Sequence, residues 1–469
     1  MNSKLVSLFC CLIMLVSFSG CTKVTQLVKD NQPTKAELLA EINEEHQRWE
    51  AAPAADPTPY LRHYDDPADA QKYFDYITDT YSEYDAAKEL SLEEAEEDVN
   101  YLFDAFYYDF AFYDYFGGHT VFDQAKAEIL QELQAKDNLT CKDLQEVLVK
   151  HLTFIKDGHF NINHNFPAEK EISFFFRQVM FVKTDSGYQD SKGKTVVSVD
   201  GHPDLDTLFK RSISQEGYLV YYPVLLKEAK FDGTEWDKHV CDEQLTVHYA
   251  DGSTDVLTAD TWSQYYKELP KDQNTDLRQT DGIPVFQFNS FDGSFLQEVN
   301  AAAAQMSNAG VSMLDLRSNI GGYEEVAHQW FNRYSRQRVS STGVRYSVLP
   351  ASLVASPSTS KTPRASNDNI LILLSGKCSA SCAEITLDLS YNLDNSLIIG
   401  ENTNGSMISN SGHIELPNSK CPVTMTSSTV YLTPDGSDYF EELRGFFPDI
   451  WVPAKEAETL AAKLMENLK

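Results

Sequence analysis

Two short segments hold residue types suited to attacking a carbonyl group and stabilising the product. In the first, Ile370 to Leu374 is an apolar run that reads as a buried strand, Ser375-Gly376-Lys377 reads as a turn, and Ser381 opens a helix that extends to about Leu393. A hydroxyl at a helix start sits beside unpaired backbone N–H groups and the positive end of the helix dipole. Those groups suit the oxyanion that forms when a serine oxygen adds to a carbonyl. Taken alone, the stretch is better explained by Ser381 or Ser379 capping a helix. The second segment is Asp315-Leu-Arg-Ser-Asn-Ile-Gly-Gly322. It ends a strand on two glycines, and backbone without side chains can approach a ligand closely. Gly321 and Gly322 therefore offer a further oxyanion donor, although a tight turn before a helix is the simpler reading of this segment alone.

These segments lie in a region of alternating strands and helices. Val311 to Leu316 reads as a strand, a helix starts near Tyr323, and Leu397 to Ile399 is another strand. Such alternation predicts right-handed β-α-β crossovers in a largely parallel sheet. Upstream, 35–158 is a helical region. There Ser91 and Glu94 form a capping pair, and Val99, Leu102, Phe103, Phe106, Tyr107 and Phe110 recur at helical spacing, ending at Gly117-Gly118. Phe122 to Leu133 and Cys141 to Leu152 read as two further helices. Strand-like runs fill 159–270: Phe174 to Val182, Thr195 to Val199 before Asp200-Gly201, and Leu245 to Tyr249 before Asp251-Gly252. The expected class is α/β, with a helical N-terminal region, a small β-rich insert and a catalytic domain over 271–469.

In order and spacing, the motifs resemble the tail-specific, or C-terminal processing, protease family. Three stand together: Asp315 to Gly322, Ser381-Cys-Ala-Glu384, and Gly400-Glu-Asn-Thr-Asn-Gly405. The resemblance implies a ClpP/crotonase-like fold, Ser381 as nucleophile, and an oxyanion hole from the Cys382 N–H and the Gly321-Gly322 turn, with Gly321 slightly preferred. One branch of the family places a Lys after the last glycine, where this chain has Ser406. The other branch, typified by the tricorn protease core, uses His and Glu. Its pattern maps onto Lys156-Asp-Gly-His159 and onto Glu442 ahead of Gly445-Phe-Phe-Pro-Asp449. His159 is then the base and Glu442 the acid that orients it or stabilises its charge. That branch has a Ser where this chain has Gly158, so a water or another hydroxyl must stand in. Lys377 reads as a solvated surface charge. The β-rich region resembles a PDZ insert only loosely, since no carboxylate-binding loop is legible.

The 469 residues carry a formal net charge of -31, which opposes binding to nucleic acid. Lys4, the apolar stretch Leu5 to Phe18 and Ser19-Gly20-Cys21 form a targeting segment too short to span a bilayer. It resembles a lipoprotein signal, which implies cleavage before Cys21, lipidation (palmitate among the acyl groups) and a tether over 21–34. The expected location is the bacterial cell envelope, on a membrane. Five other cysteines follow, Cys141, Cys241, Cys378, Cys382 and Cys421, and a disulfide from Cys378 or Cys382 to Cys421 is the first pairing to test. Their spacing carries no metal signature, and no cofactor is required. The expected partner is a polypeptide or oligopeptide substrate. A non-catalytic lipoprotein that binds peptide or lipophile on the same fold is the alternative, and it would show loss of Ser, His or acid.

Overall fold

The computed structural model describes residues 24–50, 52–230, 241–270, 272–349 and 362–468. The targeting segment and Cys21 lie outside them. The expected tether does not begin as a free strand of chain: Gln26–Asp30 is already helical, with Val28 fully buried against Met180, Val182, Val220 and Tyr222.

In the N-terminal region the helices Leu92–Asp109, Gly118–Gln134 and Cys141–His151 form where expected. Ser91 and Thr140 cap the first and third through reciprocal bonds with Glu94 and Asp143. The glycine pair does not close the first helix. That helix stops at Asp109, and Gly117, at φ 106°, begins the second instead. The aromatic stripe is a core face. Phe106, Phe110, Phe122 and Phe160 pack on Ile414, Val423 and Met425 of an antiparallel sheet built from Val344–Ser347, Ser409–Glu415 and Pro422–Leu432. Asn161–Ile162 pairs with Thr424 and Val423 of that sheet, so the segment just after His159 belongs structurally with the C-terminal half.

Phe174 to Val182 is two strands, not one. Lys170–Phe175 and Phe181–Thr184 both pair with the long central strand Leu219–Ala229. Val196–Val199, Gln244–Tyr249 and Thr254–Thr258 form a separate three-stranded sheet.

The main layer is a six-stranded sheet in the order β1 (Thr275–Thr280), β2 (Ile283–Phe288), β3 (Val311–Asp315), β4 (Ile370–Ser375), β5 (Ser396–Gly400), β6 (Ile450–Trp451). Asp281 and Gly282, at φ 50° and 81°, turn β1 back onto β2, and every later pairing is parallel. Alternate residues face opposite layers. Leu314, Leu371, Leu373 and Ile398 meet the helices α1 (Leu296–Met306), α2 (Glu324–Ser335) and α3 (Cys382–Ser390). Met313, Ile372, Leu374, Leu397 and Ile399 meet α4 (Ala454–Asn467) and the helix Lys35–Gln47. Burial on both faces accounts for the unbroken apolar runs in these strands. Asp315 is level with Leu374, and Ser375 with Gly400, so the loops 316–323, 376–381 and 401–406 leave the same carboxyl edge. That edge is where open parallel sheets bind ligands.

Candidate active site

The loop after β3 is fixed by its own motif. The Arg317 guanidinium makes a two-pronged pair with Asp315, at 2.8 and 2.7 Å, and donates to the Ala454 carbonyl at 2.8 Å. Asn319 donates to the Phe288 carbonyl at 2.7 Å and accepts the Gly321 N–H at 2.8 Å. Its carbonyl takes the Ala380 N–H at 3.0 Å, which fastens the loop after β4 beside it. Ser381 follows, with φ 56° and ψ -118°, a conformation that costs a non-glycine residue energy. The carboxylate of Glu384, fully buried, holds it there by accepting the Ser381 N–H at 2.9 Å. The same carboxylate accepts the N–H groups of Gly405 and Ser406, at 2.7 and 2.9 Å, and the Thr403 hydroxyl, uniting the loops after β4 and β5.

Gly321 packs so tightly on the loop carrying Ser381 that an added Cβ would stand 2.8 Å from the Ser381 Cβ. Its N–H is taken by Asn319. The N–H groups of Gly322 and Cys382, by contrast, donate to no group among the described residues. The donor preference therefore moves from Gly321 to Gly322. Burial pushes the Cys382 thiol up, so it stays a thiol and not a rival nucleophile.

His159 is carried by the loop between the last N-terminal helix and Asn161–Ile162. Its Nδ1 lies 2.7 Å from the Ser409 Oγ, and that hydroxyl donates to the Asp157 carboxylate at 2.8 Å. Asp157 also accepts the Thr426 hydroxyl and the His159 N–H. Since the Ser409 proton is directed at Asp157, Nδ1 must be the donor to Ser409, which leaves the lone pair on Nε2. The ring is partly exposed, but desolvation, then the charges of Lys170, His413 and Arg345, push its pKa down to about 3. No direct hydrogen bond joins His159 to the Ser381 hydroxyl among the described residues. Their loops are connected through one network: Glu384 holds Ser381 and Ser406, and Ser406 donates to the Gly158 carbonyl at 2.9 Å.

Comparison with known proteins matches residues 282–452 to the model of peptidase family S41. Over those residues the chain is similar to peptidase family S41. Peptidase function follows at that level. Among solved structures, mature CPAF is 12% identical and matches over 80% of this chain and 96% of its own, with a TM-score of 0.41. The photosystem II D1 C-terminal processing protease is 14% identical over 80% and 97%, with a TM-score of 0.37. The tricorn protease is 12% identical over 81% of this chain and 37% of its own, with a TM-score of 0.38. No curated protein matches.

Ser381, Cys382, Gly321, Gly322 and Glu442 fall inside the matched residues, whereas His159 lies outside them. Among the described residues, no hydrogen bond joins Glu442 to the His159 ring. It accepts the N–H groups of Gly158, Met407 and Ile408, at 2.8, 3.2 and 3.1 Å, and so sets the backbone that carries the ring. Burial, with Asp157 and Glu384 as like-charged neighbours, raises its pKa well above the usual range. The acid behind the imidazole is Asp157, and the hydroxyl missing at position 158 is supplied by Ser409. Gly158 has no room for a side chain: a Cβ would lie 2.1 Å from the Gly405 carbonyl oxygen.

Two lysines are also buried here, of which Lys377 reads from sequence as a solvated charge and Lys170 carries no signal. Lys377 is 3% exposed, not solvated, and donates to the Thr403 carbonyl at 2.6 Å; burial and then Lys170 draw its pKa down to about 7. Lys170 donates to the Gly158 carbonyl at 2.9 Å, to the Ser406 Oγ at 2.7 Å and to Asn404, and burial lowers its pKa to about 8. The expected disulfide is absent: Cys378, Cys382 and Cys421 are all free thiols. Among the described residues, no group of three or more His, Cys, Asp or Glu side chains is arranged to hold a metal ion.

Proposed function

We propose that this chain is a serine peptidase that cleaves polypeptides through an acyl-enzyme, with Ser381 as nucleophile and His159 as base. The observation that carries this reading is the relay His159–Ser409–Asp157, which fixes the tautomer whose Nε2 is free to accept a proton. The Ser381 oxygen adds to the peptide carbonyl while its proton passes to Nε2. The N–H groups of Cys382 and Gly322 receive the oxyanion, and the dipole at the start of α3 adds to their effect. The imidazolium then protonates the leaving amine. Water, deprotonated by the same Nε2, releases the acyl group and restores Ser381. Asp157, reached through the Ser409 hydroxyl, stabilises the imidazolium that exists between the two transfers.

The site of action belongs to the same proposal. The first 20 residues direct export, and lipid on Cys21 holds the enzyme at a membrane of the bacterial cell envelope. Among the described residues no helix is long and apolar enough to cross a membrane. Labelling with a fluorophosphonate tests the chemistry. The purified protein takes up the probe, and Ser381→Ala and His159→Ala lose it. Labelling that persists in Ser381→Ala overturns the assignment of the nucleophile. Metabolic incorporation of palmitate, abolished in Cys21→Ser, tests the anchor.

A further inference from the structure

Large apolar side chains are mostly interior in this fold, and those that are not merit a reason. Two of them flank the glycine pair: Ile320 is 65% exposed and Tyr323 is 72% exposed. Their exposure does not come from a loose loop. The Ile320 N–H donates to the Asn289 carbonyl at 3.2 Å, and the Tyr323 N–H to the Phe291 carbonyl at 2.8 Å. Gly322 between them lies so close to Phe291 that a Cβ would stand 2.6 Å from its carbonyl oxygen. The backbone is therefore pinned on both sides of the oxyanion donor while both side chains project into solvent.

The carboxylate next in sequence to Tyr323 is paired. Glu324, next to Tyr323, is held by Arg345 at 2.6 Å and by His328 at 3.3 Å. A third exposed aromatic, Tyr266, is 56% exposed on the segment whose Lys267 N–H donates to the Ser318 Oγ at 2.8 Å. Three large apolar or aromatic side chains thus stand exposed along this rim, with Glu268 and Glu325 exposed beside them, on a protein whose net charge is -31.

We infer that Ile320 and Tyr323 form an apolar substrate subsite, so that the enzyme selects peptides with a large hydrophobic side chain adjoining the scissile bond. This rests on the serine peptidase reading above. Consecutive Cα atoms are about 3.8 Å apart, and an extended peptide advances roughly 3.3 Å per residue. A carbonyl held by the Gly322 N–H therefore brings the residues on either side of it within reach of Ile320 and Tyr323. Contact with them removes apolar surface from water on both partners, a gain that small or charged side chains do not make.

The test uses two fluorophosphonates of equal length, one with an alkyl chain and one with a polyether chain, and second-order labelling rate constants. The parent protein should react faster with the alkyl probe. In Ile320→Ser/Tyr323→Ser that preference should fall about 10-fold or more, with the polyether rate changed little, as loss of an apolar subsite implies. Because both residues are surface-exposed, the double variant should keep the parent's thermal midpoint. Labelling that shows no alkyl preference, or an unchanged preference in the double variant, overturns the subsite and leaves the nucleophile in place. Failure of the parent to label with either probe overturns both readings.

Discussion

Replacing Ser409 with Ala removes a hydroxyl that never meets substrate, yet it should slow the chemistry. In the resting enzyme the Ser409 oxygen accepts from Nδ1 at 2.7 Å and donates to Asp157 at 2.8 Å, and the residue is 4% exposed. During turnover the ring becomes an imidazolium, and the bond from Nδ1 becomes charge-assisted. A hydrogen bond to a charged group is worth about 1.5–3 kcal/mol. At roughly 1.4 kcal/mol per factor of ten, its loss lowers the rate about 10- to 100-fold. The loss should fall on kcat and on probe-labelling rate with KM nearly unchanged. The fold should survive, since Asp157 keeps the Thr426 hydroxyl and the His159 N–H; losing the two bonds of the Ser409 hydroxyl, with Nδ1 left unpaired, costs about 1–3 kcal/mol. Thr426→Val is the matched control. It removes a donor to the same carboxylate without touching the imidazole, so its effect on rate should be several-fold smaller. Rates for all three proteins, by fluorophosphonate labelling from pH 5 to 8, decide the matter. With a base whose pKa lies near 3, the parent's rate should show no histidine limb across that range. A Ser409→Ala enzyme within twofold of the parent, or a Thr426→Val enzyme equally slow, refutes the relay.

Gly158→Ser adds a hydroxyl beside the base but has no space for it, with a Cβ 2.1 Å from the Gly405 carbonyl oxygen and 2.8 Å from Glu442. It should destabilise the protein by about 1–3 kcal/mol or more in urea denaturation, and a neutral effect would show that the loop yields easily. Lys170→Met removes the buried cation that faces Asp157, Glu384 and Glu442 and that donates to Gly158 and Ser406. A loss of about 3–5 kcal/mol is expected by the same measurement, and a loss under about 1 kcal/mol would count against this account. Burial raises Glu401 from 4.5 to about 7, so the folded state holds a proton there that the unfolded chain has released. Stability drawn from this group is present below pH 4.5 and is lost as pH rises through 7. Glu401→Gln should therefore gain on the parent across that window, by about 3 kcal/mol at its upper end, and a difference independent of pH would refute the raised value.

What the sequence disclosed was whatever one short segment both builds and displays. Ile370 to Leu374 reads as a strand because a strand buried on both faces must be apolar at every position, and the serine that follows it is then placed at a sheet edge by the run itself. Asp315 to Gly322 is legible for the same reason: the arginine pairs with an aspartate two residues away, and the glycines relieve a contact that the turn creates. The environment of the base has no such local signature. Asp157 meets Ser409 and Thr426 across 252 and 269 residues, through the register of two antiparallel strands and a bulge between Ser409 and Ser411. A serine in a run of serines gives no hint that its hydroxyl is the one in register. The motif marks Glu442 as the acid that orients the imidazole, but a motif fixes where a backbone goes, and three backbone N–H groups claim this carboxylate. Lys377 misled for a related reason: a lysine in a turn is ordinarily solvated, and only the closure of the 401–406 loop over it supplies the carbonyls that let it be buried. The loop of Ser381 and the glycine turn beside it are thus written locally, whereas the surroundings of His159 depend on how two distant strands align, so substitutions that shift that alignment should impair the proposed base while leaving the Ser381 loop intact.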